Sequence, residues 1–349
     1  MDYEYVNTRI RGMKSRLLER KELEALAAKL DIQGVIDALA STSYRQDIED
    51  ASVQYAGLTC VEVALRRNLG KDLRLLRTFL KGEEEEPFIN VFLNKWDVQN
   101  IKTILRGKNI QEVPDEIVAS LAPAGALDDA TLIELIKQPD VKAVIDLLAT
   151  WGIDYARPLT QHFKEFNETR DLVVLEYALD NFYFDRALHA VAGDSYDKTV
   201  VRGMVKLEID VTNIKSILRI IRDKVELEDP QYYFIRGGKE LDVDKLLAIS
   251  KARTTEGVVQ QLARTSYGFL AEISDDYIKT ERISALEKAL DTFVLKKALN
   301  KFSGDPLSIA LVIGYLWAKL NEITNIRIIA TCKTEYTPEK ELMEELVFV

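Results

Sequence analysis

The chain carries one short polar pattern three times, at long and nearly equal intervals. In each copy an acidic residue is followed three positions later by asparagine, then by isoleucine and a basic residue. The acids are Asp97, Asp210 and Glu322, so the intervals are 210 − 97 = 113 and 322 − 210 = 112. A repeat of this length is too long for a solenoid unit and long enough to enclose its own core. The sequence therefore predicts three homologous domains with pseudo-threefold symmetry: 1–118, 119–236 and 237–349.

Two further sequence motifs recur in the same order, so the repetition is not a coincidence. A Glu-x-Ala-Leu word begins at Glu62, Glu176 and Glu287. A leucine that marks the start of each repeat stands at Leu18, Leu127 and Leu241. Glycine and proline together number only 16 + 8 = 24, well below an average usage of roughly 12%. Few helix breakers, and no alternating β-branched runs between hairpin turns, predict an all-α protein in which each repeat is a helical bundle.

Hydrophobic periodicity and capping residues predict the helices of the first repeat. Leucines at a spacing near 3.6 predict a helix over 21–29, and Asp31 is the expected N-cap of the next helix. A long helix follows, with an expected interruption at Gly70. The last helix is expected from about Phe88 to Arg106, with Gly107 as its C-cap.

The recurring polar residues favour a structural interpretation. The acid and asparagine of each copy share one helix face, and a residue required for one chemical step seldom exists in triplicate. We expect a satisfied polar cluster inside each bundle or between bundles, in preference to a catalytic pair, a metal site or a partner contact. The three glutamates are expected to be largely buried and bonded to an amide or base of their own repeat, such as Asn100 or Lys102. The cluster comprises Glu62, Asp97, Asn100, Glu176, Asp210, Asn213, Glu287, Glu322 and Asn325.

Motifs for catalysis and cofactor binding are missing from the sequence. Residues 237–240 read Gly-Gly-Lys-Glu, which lacks the upstream glycine and the hydroxyl of a phosphate-binding loop. His162 and His189 belong to no zinc or di-iron pattern. Cys60 and Cys332 are too few for a disulfide framework and are expected to be reduced thiols of a cytoplasmic protein. We therefore predict no catalytic residue, no metal and no cofactor.

Charge and hydropathy narrow the range of partners. The net charge is −10 with bases interspersed among acids, which argues against nucleic-acid binding. The longest apolar stretch, 308–320, is too short to span a membrane, so we expect a soluble protein. One region departs from the average, because six bases cluster near the start. The six bases are Arg9, Arg11, Lys14, Arg16, Arg20 and Lys21. They either form a solvated face with ion pairs inside the protein or meet acidic groups of a partner.

Taken together, these sequence motifs resemble those of a known protein family. The opening Tyr-Val-Asn-Thr-Arg-Ile-Arg-Gly-Met over 5–13, the three acid-x-x-Asn-Ile-base words and the recurring glutamate helices resemble the C subunit of the archaeal and bacterial A/V-type ATPase. Its eukaryotic relative is the d subunit of the vacuolar proton pump. The resemblance covers the whole chain. The third repeat departs from the pattern only conservatively, with Glu322 in place of aspartate and Arg327 in place of lysine.

The resemblance implies a funnel-shaped, non-catalytic rotor subunit that serves ATP synthesis and ion transport. Such a subunit sits peripherally on the cytoplasmic face of the membrane, on the ring of proteolipid subunits. The central stalk, built by the D and F subunits, inserts into its open end. No nucleic acid and no direct small-molecule substrate is implied. Asn7, Arg9 and Arg11 belong to the resembling opening and have no equivalent in the other repeats, so they are candidates for a partner contact.

Two other classes of protein remain compatible with the residues alone. One is a general helical scaffold of a cytoplasmic complex that is unrelated to ion pumping. The other is a helical-bundle enzyme with a carboxylate-bound metal. Co-purification with membranes containing the proteolipid ring separates the rotor from the scaffold, and metal analysis tests the enzyme.

Overall fold

The fold is known from a computed structural model, which describes residues 3–82, 86–121, 125–225, 233–277, 283–303 and 308–348. Within these ranges the regular structure is helical and no β-strand occurs, so the all-α prediction is confirmed. In chain order the α-helices are α1 Tyr3–Lys14, α2 Arg20–Ala27, α3 Ile32–Leu39, α4 Arg45–Ser52, α5 Gly57–Leu80, α6 Glu86–Ile110, α7 Pro114–Ala119, α8 Asp129–Ile136, α9 Val141–Thr150, α10 Ala156–Thr169, α11 Val173–Ala190, α12 Tyr196–Arg222, α13 Val243–Ser250, α14 Thr255–Leu262, α15 Leu270–Tyr277, α16 Ser284–Leu299, α17 Ala310–Thr334 and α18 Glu339–Glu345.

Short helices open each repeat, and their starts follow local capping chemistry. The Asp31 carboxylate accepts a hydrogen bond from the backbone N–H of Gly34 at 2.8 Å, so the predicted N-cap is confirmed. Asp140 and Thr254 cap the corresponding helices, α9 and α14, in the same way. Each of these side chains satisfies an N–H that has no partner within the first turn of its helix.

Two glycines have roles other than those expected from the sequence. Helix α5 continues through Gly70, which is buried, because tertiary packing outweighs the small helix penalty of one glycine. Helix α6 continues past Gly107 to Ile110, and the chain turns instead at Gln111, whose φ is 58°. A Cβ on Gly107 would lie 2.5 Å from Cδ1 of Ile117. This glycine therefore lets α7 pack closely against α6 and does not end the helix.

The chain divides into two compact units. The first comprises 1–179 together with 301–349, and the second comprises 180–300. In the first unit α17 packs against α1, α2, α3 and α5, so the end of the chain joins the core built by its beginning. In the second unit α12 packs against α13, α14 and α16.

The last long helix of a repeat packs against the first short helices of the following repeat. Helix α6 contacts α8 and α9, and α12 contacts α13 and α14. Helix α17 contacts α2 and α3, which open the chain, so the third repeat is followed by the first. These contacts give the three repeats a cyclic order, and they cross the sequence positions 118 and 236. The repeat boundaries themselves stay a prediction.

Candidate functional site: the acid clamps between repeats

The contacts between successive repeats centre on the three repeated acids. We use the name acid clamp for each of these acids together with the main-chain N–H groups that it holds. Asp210 on α12 is fully buried, and its carboxylate accepts hydrogen bonds from the backbone N–H groups of Glu240 at 2.8 Å and Leu241 at 3.3 Å. The hydroxyl of Tyr267 donates a third hydrogen bond at 2.8 Å. Burial raises the pKa of Asp210, and these hydrogen bonds oppose the rise because they stabilise the charged form.

The first acid clamp has the same geometry. The Asp97 carboxylate on α6 is fully buried and accepts hydrogen bonds from the backbone N–H groups of Ala126 and Leu127, both at 2.9 Å. Burial raises the pKa of Asp97, and the same two N–H groups work against that rise. Hydrogen bonds to the charged form thus offset part of the desolvation cost in both aspartate clamps.

A glycine in the facing loop makes each aspartate clamp possible. A Cβ on Gly125 would lie 1.8 Å from Oδ1 of Asp97, and a Cβ on Gly238 would lie 2.0 Å from Oδ1 of Asp210. Both distances are far below any real contact between a carbon and an oxygen. The short aspartate side chain can reach the main chain only because the loop has no side chain at that point.

Glu322 on α17 forms the third acid clamp. Its carboxylate accepts hydrogen bonds from the backbone N–H of Leu18 and from the hydroxyl of Tyr44. Leu18, Leu127 and Leu241 are the leucines that recur in the sequence, so each acid holds the N–H of the same leucine in the next repeat. The three acid clamps therefore link the repeats in a cycle.

The asparagines three residues after the acids hold a second stretch of main chain. Asn213 donates to the carbonyl of Ile235 at 2.8 Å and accepts from its N–H at 2.9 Å. Asn325 makes the same pair of bonds with Val347, both at 2.9 Å. Asn100 is also buried, and the residue that corresponds to Ile235, Ala122, lies outside the described residues. A side-chain amide matches a peptide group in both directions, which explains why asparagine occupies this position.

The glutamates of the Glu-x-Ala-Leu motif correct the expectation about their partners. Glu176 pairs with Arg106 through two bonds of 2.6 Å, and Glu287 pairs with Arg219 at 2.6 Å. Both arginines lie on the last helix of the preceding repeat, so the predicted partner within the same repeat is wrong. The side chains of Glu176 and Glu287 are 17% and 21% exposed, so the expectation that they are largely buried is confirmed for these two. The helices that carry the clamp acids, α6, α12 and α17, are called the clamp helices. Helices α6 and α12 pack against the following repeat, so their arginines reach its glutamates.

Glu62 differs from its two counterparts. The position that corresponds to Arg219 is 219 + 112 = 331, which is threonine. Within the described ranges Glu62 forms no ion pair, and its charge acts on nearby Arg66. We call this arginine–glutamate pair the rim ion pair; among the described residues it is present at two of the three junctions between repeats.

A buried polar network occupies the junction that lacks this rim pair. Lys319 is 3% exposed and donates hydrogen bonds to Glu322 and to the hydroxyl of Tyr44, both at 2.9 Å. The hydroxyl of Tyr315 donates to Asp72 at 2.7 Å, and Asp72 lies 3.6 Å from Lys319. Burial raises the pKa of Tyr44 and of Tyr315, and the neighbouring carboxylates add to the rise. Both hydroxyls therefore stay protonated as donors.

Sequence reasoning missed these partners. Tyr44 and Tyr267 could have been found, because tyrosine also stands at 155 and the intervals are 155 − 44 = 111 and 267 − 155 = 112. Tyr155 also bonds to the clamp helix of the preceding repeat, donating to the carbonyl of Asn94 at 3.3 Å. Lys319 left no such signal, because its counterpart in the preceding repeat, at 319 − 112 = 207, is a leucine.

The three candidate contact residues near the start lie on α1. Asn7 is buried, whereas Arg9 and Arg11 are exposed. The Arg9 guanidinium lies 5.3 Å from the ring centre of Phe79. Two of the three are thus accessible on the surface.

The arrangement is suited to holding helices together. Its acids are occupied by main-chain N–H groups, hydroxyls and bases. In the described part of the chain, no group of three or more His, Cys, Asp or Glu side chains has the geometry to hold a metal. No described helix is both long and apolar enough to cross a membrane.

Comparison with known proteins identifies a family for this chain. The sequence profile of the ATP synthase (C/AC39) subunit family matches residues 6–345. A relative from Methanocaldococcus jannaschii, named as the C subunit of an A-type ATP synthase, is 30% identical over 346 residues, which are 99% of this chain and 86% of the relative. Proteins of the same name from Methanococcoides burtonii and Methanosarcina barkeri are 31% and 29% identical, covering 99% and 100% of this chain and 94% and 93% of their own length.

The chain therefore belongs to the ATP synthase (C/AC39) subunit family, and the resemblance inferred from its sequence is confirmed. It is a subunit of an A/V-type ATP synthase.

Proposed function

We propose that this chain is the non-catalytic socket of the central rotor, which couples the stalk shaft of the D and F subunits to the proteolipid ring. In this role it sits peripherally on the cytoplasmic face of the membrane and takes part in ion transport without binding a substrate of its own. The observation that carries the proposal is the cyclic order of the acid clamps. Asp97, Asp210 and Glu322 each hold the repeat that follows, and the last of them holds the first.

A cyclic order suits a part that transmits torque. A chain whose ends are free can yield at its termini, whereas here the clamp of Glu322 on Leu18 joins the last long helix to the first repeat. The hydrogen bonds are buried, where the low dielectric strengthens them. Closely packed helical cores are also poorly compressible and pass strain onward. Three similar repeats in cyclic order fit a partner that rotates about an axis.

A bridging experiment tests the socket role. Washed membranes that contain the proteolipid ring are mixed with the D–F stalk, with and without this chain, and stalk retention is measured after sedimentation. We expect the chain to raise retention at least about tenfold, because it contacts both partners. Membranes stripped of the ring are the control. Equal retention of the stalk without this chain would contradict the socket role.

A second measurement tests the non-catalytic part of the proposal. Calorimetry with ATP and magnesium is expected to show no binding tighter than about 1 mM, because residues 237–240 lack the features of a phosphate-binding loop. A sub-millimolar affinity, or ATP hydrolysis by the purified chain, would point to a different role.

A further inference from the structure

Helix α1 stands outside the cyclic pattern of the repeats. Helix α7, which precedes Leu127, is the counterpart of α18 and not of α1. Helix α7 begins at residue 114 and α18 at residue 339, and the difference of 225 is the sum of the two repeat intervals, 113 and 112. Both α7 and α18 follow a clamp helix. Helix α1 precedes Leu18 and is therefore an addition, which packs on α17. Packing symmetry does not account for its presence.

The apolar side of α1 is already used inside the protein. Val6, Ile10 and Met13 are at most 3% exposed and face the core of the first unit. Tyr5 meets the ring of Phe79 edge to face. An amphipathic helix that lies on a membrane needs a free apolar face. The core has taken most of that face and leaves Tyr5, which is 55% exposed, partly accessible, so α1 offers a partner mainly its polar side.

Some of the bases on α1, in the turn that follows it and at the start of α2 have no carboxylate partner among the described residues. Arg11 and Arg16 are exposed, and neither forms an ion pair with a carboxylate in the described part of the chain. The same holds for Lys21, whereas Arg20 is paired with Glu24 at 2.7 Å. Glu4 is the one acid in the sequence of α1. Of the two interpretations, internal ion pairs account for Arg20 and leave Arg11, Arg16 and Lys21 exposed to solvent or to a partner.

We propose that the exposed face of α1 and the turn that follows it, around Arg11, Gly12 and Arg16, is a docking surface for an acidic protein helix. This inference rests on the proposed function, in which the partner is a helix of the central stalk. A local excess of positive charge on a chain of net charge −10 steers an acidic partner to one place and repels it elsewhere. Gly12 lies between the bases, and a Cβ placed on it would have no atom within 4 Å, so a partner helix can approach closely there.

The experiment measures association of the full chain with the D–F stalk. The change Gly12→Leu adds bulk on the docking face. Its matched control is Gly203→Leu, because Gly203 also lies in a helix and a Cβ placed on it would likewise have no atom within 4 Å. We expect Gly12→Leu to weaken binding at least about tenfold, since a side chain at the centre of a contact blocks close packing. Gly203→Leu is expected to leave binding unchanged.

Two double variants that each remove two positive charges test the electrostatic part of the proposal. The double change Arg11→Gln with Arg16→Gln is expected to slow association about tenfold at low salt and less than about twofold at high salt. Lys251→Gln with Arg253→Gln removes the same charge from exposed positions in the other unit and is expected to have no such effect. Circular dichroism and thermal unfolding verify that all variants fold.

The outcomes separate the two proposals. If the unaltered chain binds the stalk and the α1 variants bind equally well, the docking surface is overturned and the socket role stands. If the unaltered chain does not bind the stalk, both are overturned. If the α1 variants lose binding to anionic lipid vesicles or to nucleic acid while they keep stalk binding, α1 serves a different class of partner and the proposal fails.

Discussion

The acid clamps of Asp210 and Glu322 both hold the main chain of another repeat, but different groups stabilise the two carboxylates. Asp210 is held by two main-chain N–H groups and a tyrosine hydroxyl, with no cation bonded to it in the described part of the chain. Glu322 has one main-chain N–H, one tyrosine hydroxyl and the ammonium group of Lys319 at 2.9 Å. The first is a carboxylate in a cage of hydrogen bonds, and the second is a buried ion pair.

The difference follows from the loop that each acid faces. Gly238 lets the main chain approach the short Asp210 side chain. The residues between Gly12 and Leu18 include no glycine, and at this position the repeat has the longer glutamate in place of aspartate. Lys319 then compensates a charge that has fewer N–H donors. The same position in the repeat thus tolerates different chemistry as long as the buried charge is satisfied.

The largest expected effect comes from removing the cation. Lys319→Met leaves the carboxylate of Glu322, which is 3% exposed, without its charge partner. Loss of one member of a buried pair costs about 3–5 kcal/mol, so the free energy of unfolding in denaturant is expected to fall by that amount. The double variant Lys319→Met with Glu322→Gln is expected to recover most of the loss. A single variant as stable as the unaltered chain would contradict the ion-pair description.

Removal of the caged aspartate is expected to have a somewhat smaller effect. Asp210→Ala deprives the N–H groups of Glu240 and Leu241 and the hydroxyl of Tyr267 of their acceptor. Unsatisfied buried donors cost about 1–3 kcal/mol each, and partial relaxation leaves a net loss of about 2–3 kcal/mol in unfolding free energy. Tyr267→Phe removes one donor and is expected to cost about 1 kcal/mol. An equal loss in both variants would mean that the N–H groups contribute nothing.

The stabilising contribution of the Asp210 clamp is also expected to depend on pH. Burial raises the pKa of Asp210 in the folded protein. A raised pKa in the folded state gives a contribution to stability that is complete at low pH and is lost as the pH rises through that pKa. The difference in unfolding free energy between the unaltered chain and Asp210→Asn is therefore expected to shrink as the pH rises upward from about 3.9, the usual aspartate pKa. An increase of that difference with pH would contradict a raised pKa of Asp210 in the folded protein.

The smallest effect is expected at the rim of the junctions. Arg219 is 55% exposed, and its pair with Glu287 is open to solvent and salt. Glu287→Gln is expected to lower the unfolding free energy by at most about 0.5–1 kcal/mol, and less at high ionic strength. Glu256→Gln, at an exposed position on α14, is the control for the change in net charge. A loss as large as that of Asp210→Ala would place the main strength of the junction at its rim.

Much of the local structure could be predicted from the sequence. The N-cap at Asp31 and the long helices around Asp97, Asp210 and Glu322 follow from periodicity and capping chemistry within a few residues. The role of Gly107 could not be predicted, because it depends on Ile117 of the next helix. The partner of Glu176 was misplaced for the same reason, since Arg106 reaches it from a helix 70 residues earlier.

Sequence alone determined the helical class, the threefold repetition and the set of polar residues that repeat, because period and composition can be read along the chain without knowledge of its contacts. Only the tertiary structure decided that each acid acts on the following repeat. The hydrogen bond of Asp97 with Leu127 spans 30 residues, whereas that of Glu322 with Leu18 spans 304. A repeating pattern reads the same at every copy and does not encode which copy lies next in space. Packing of α17 onto α2 and α3 settles that choice and joins the end of the chain to its beginning.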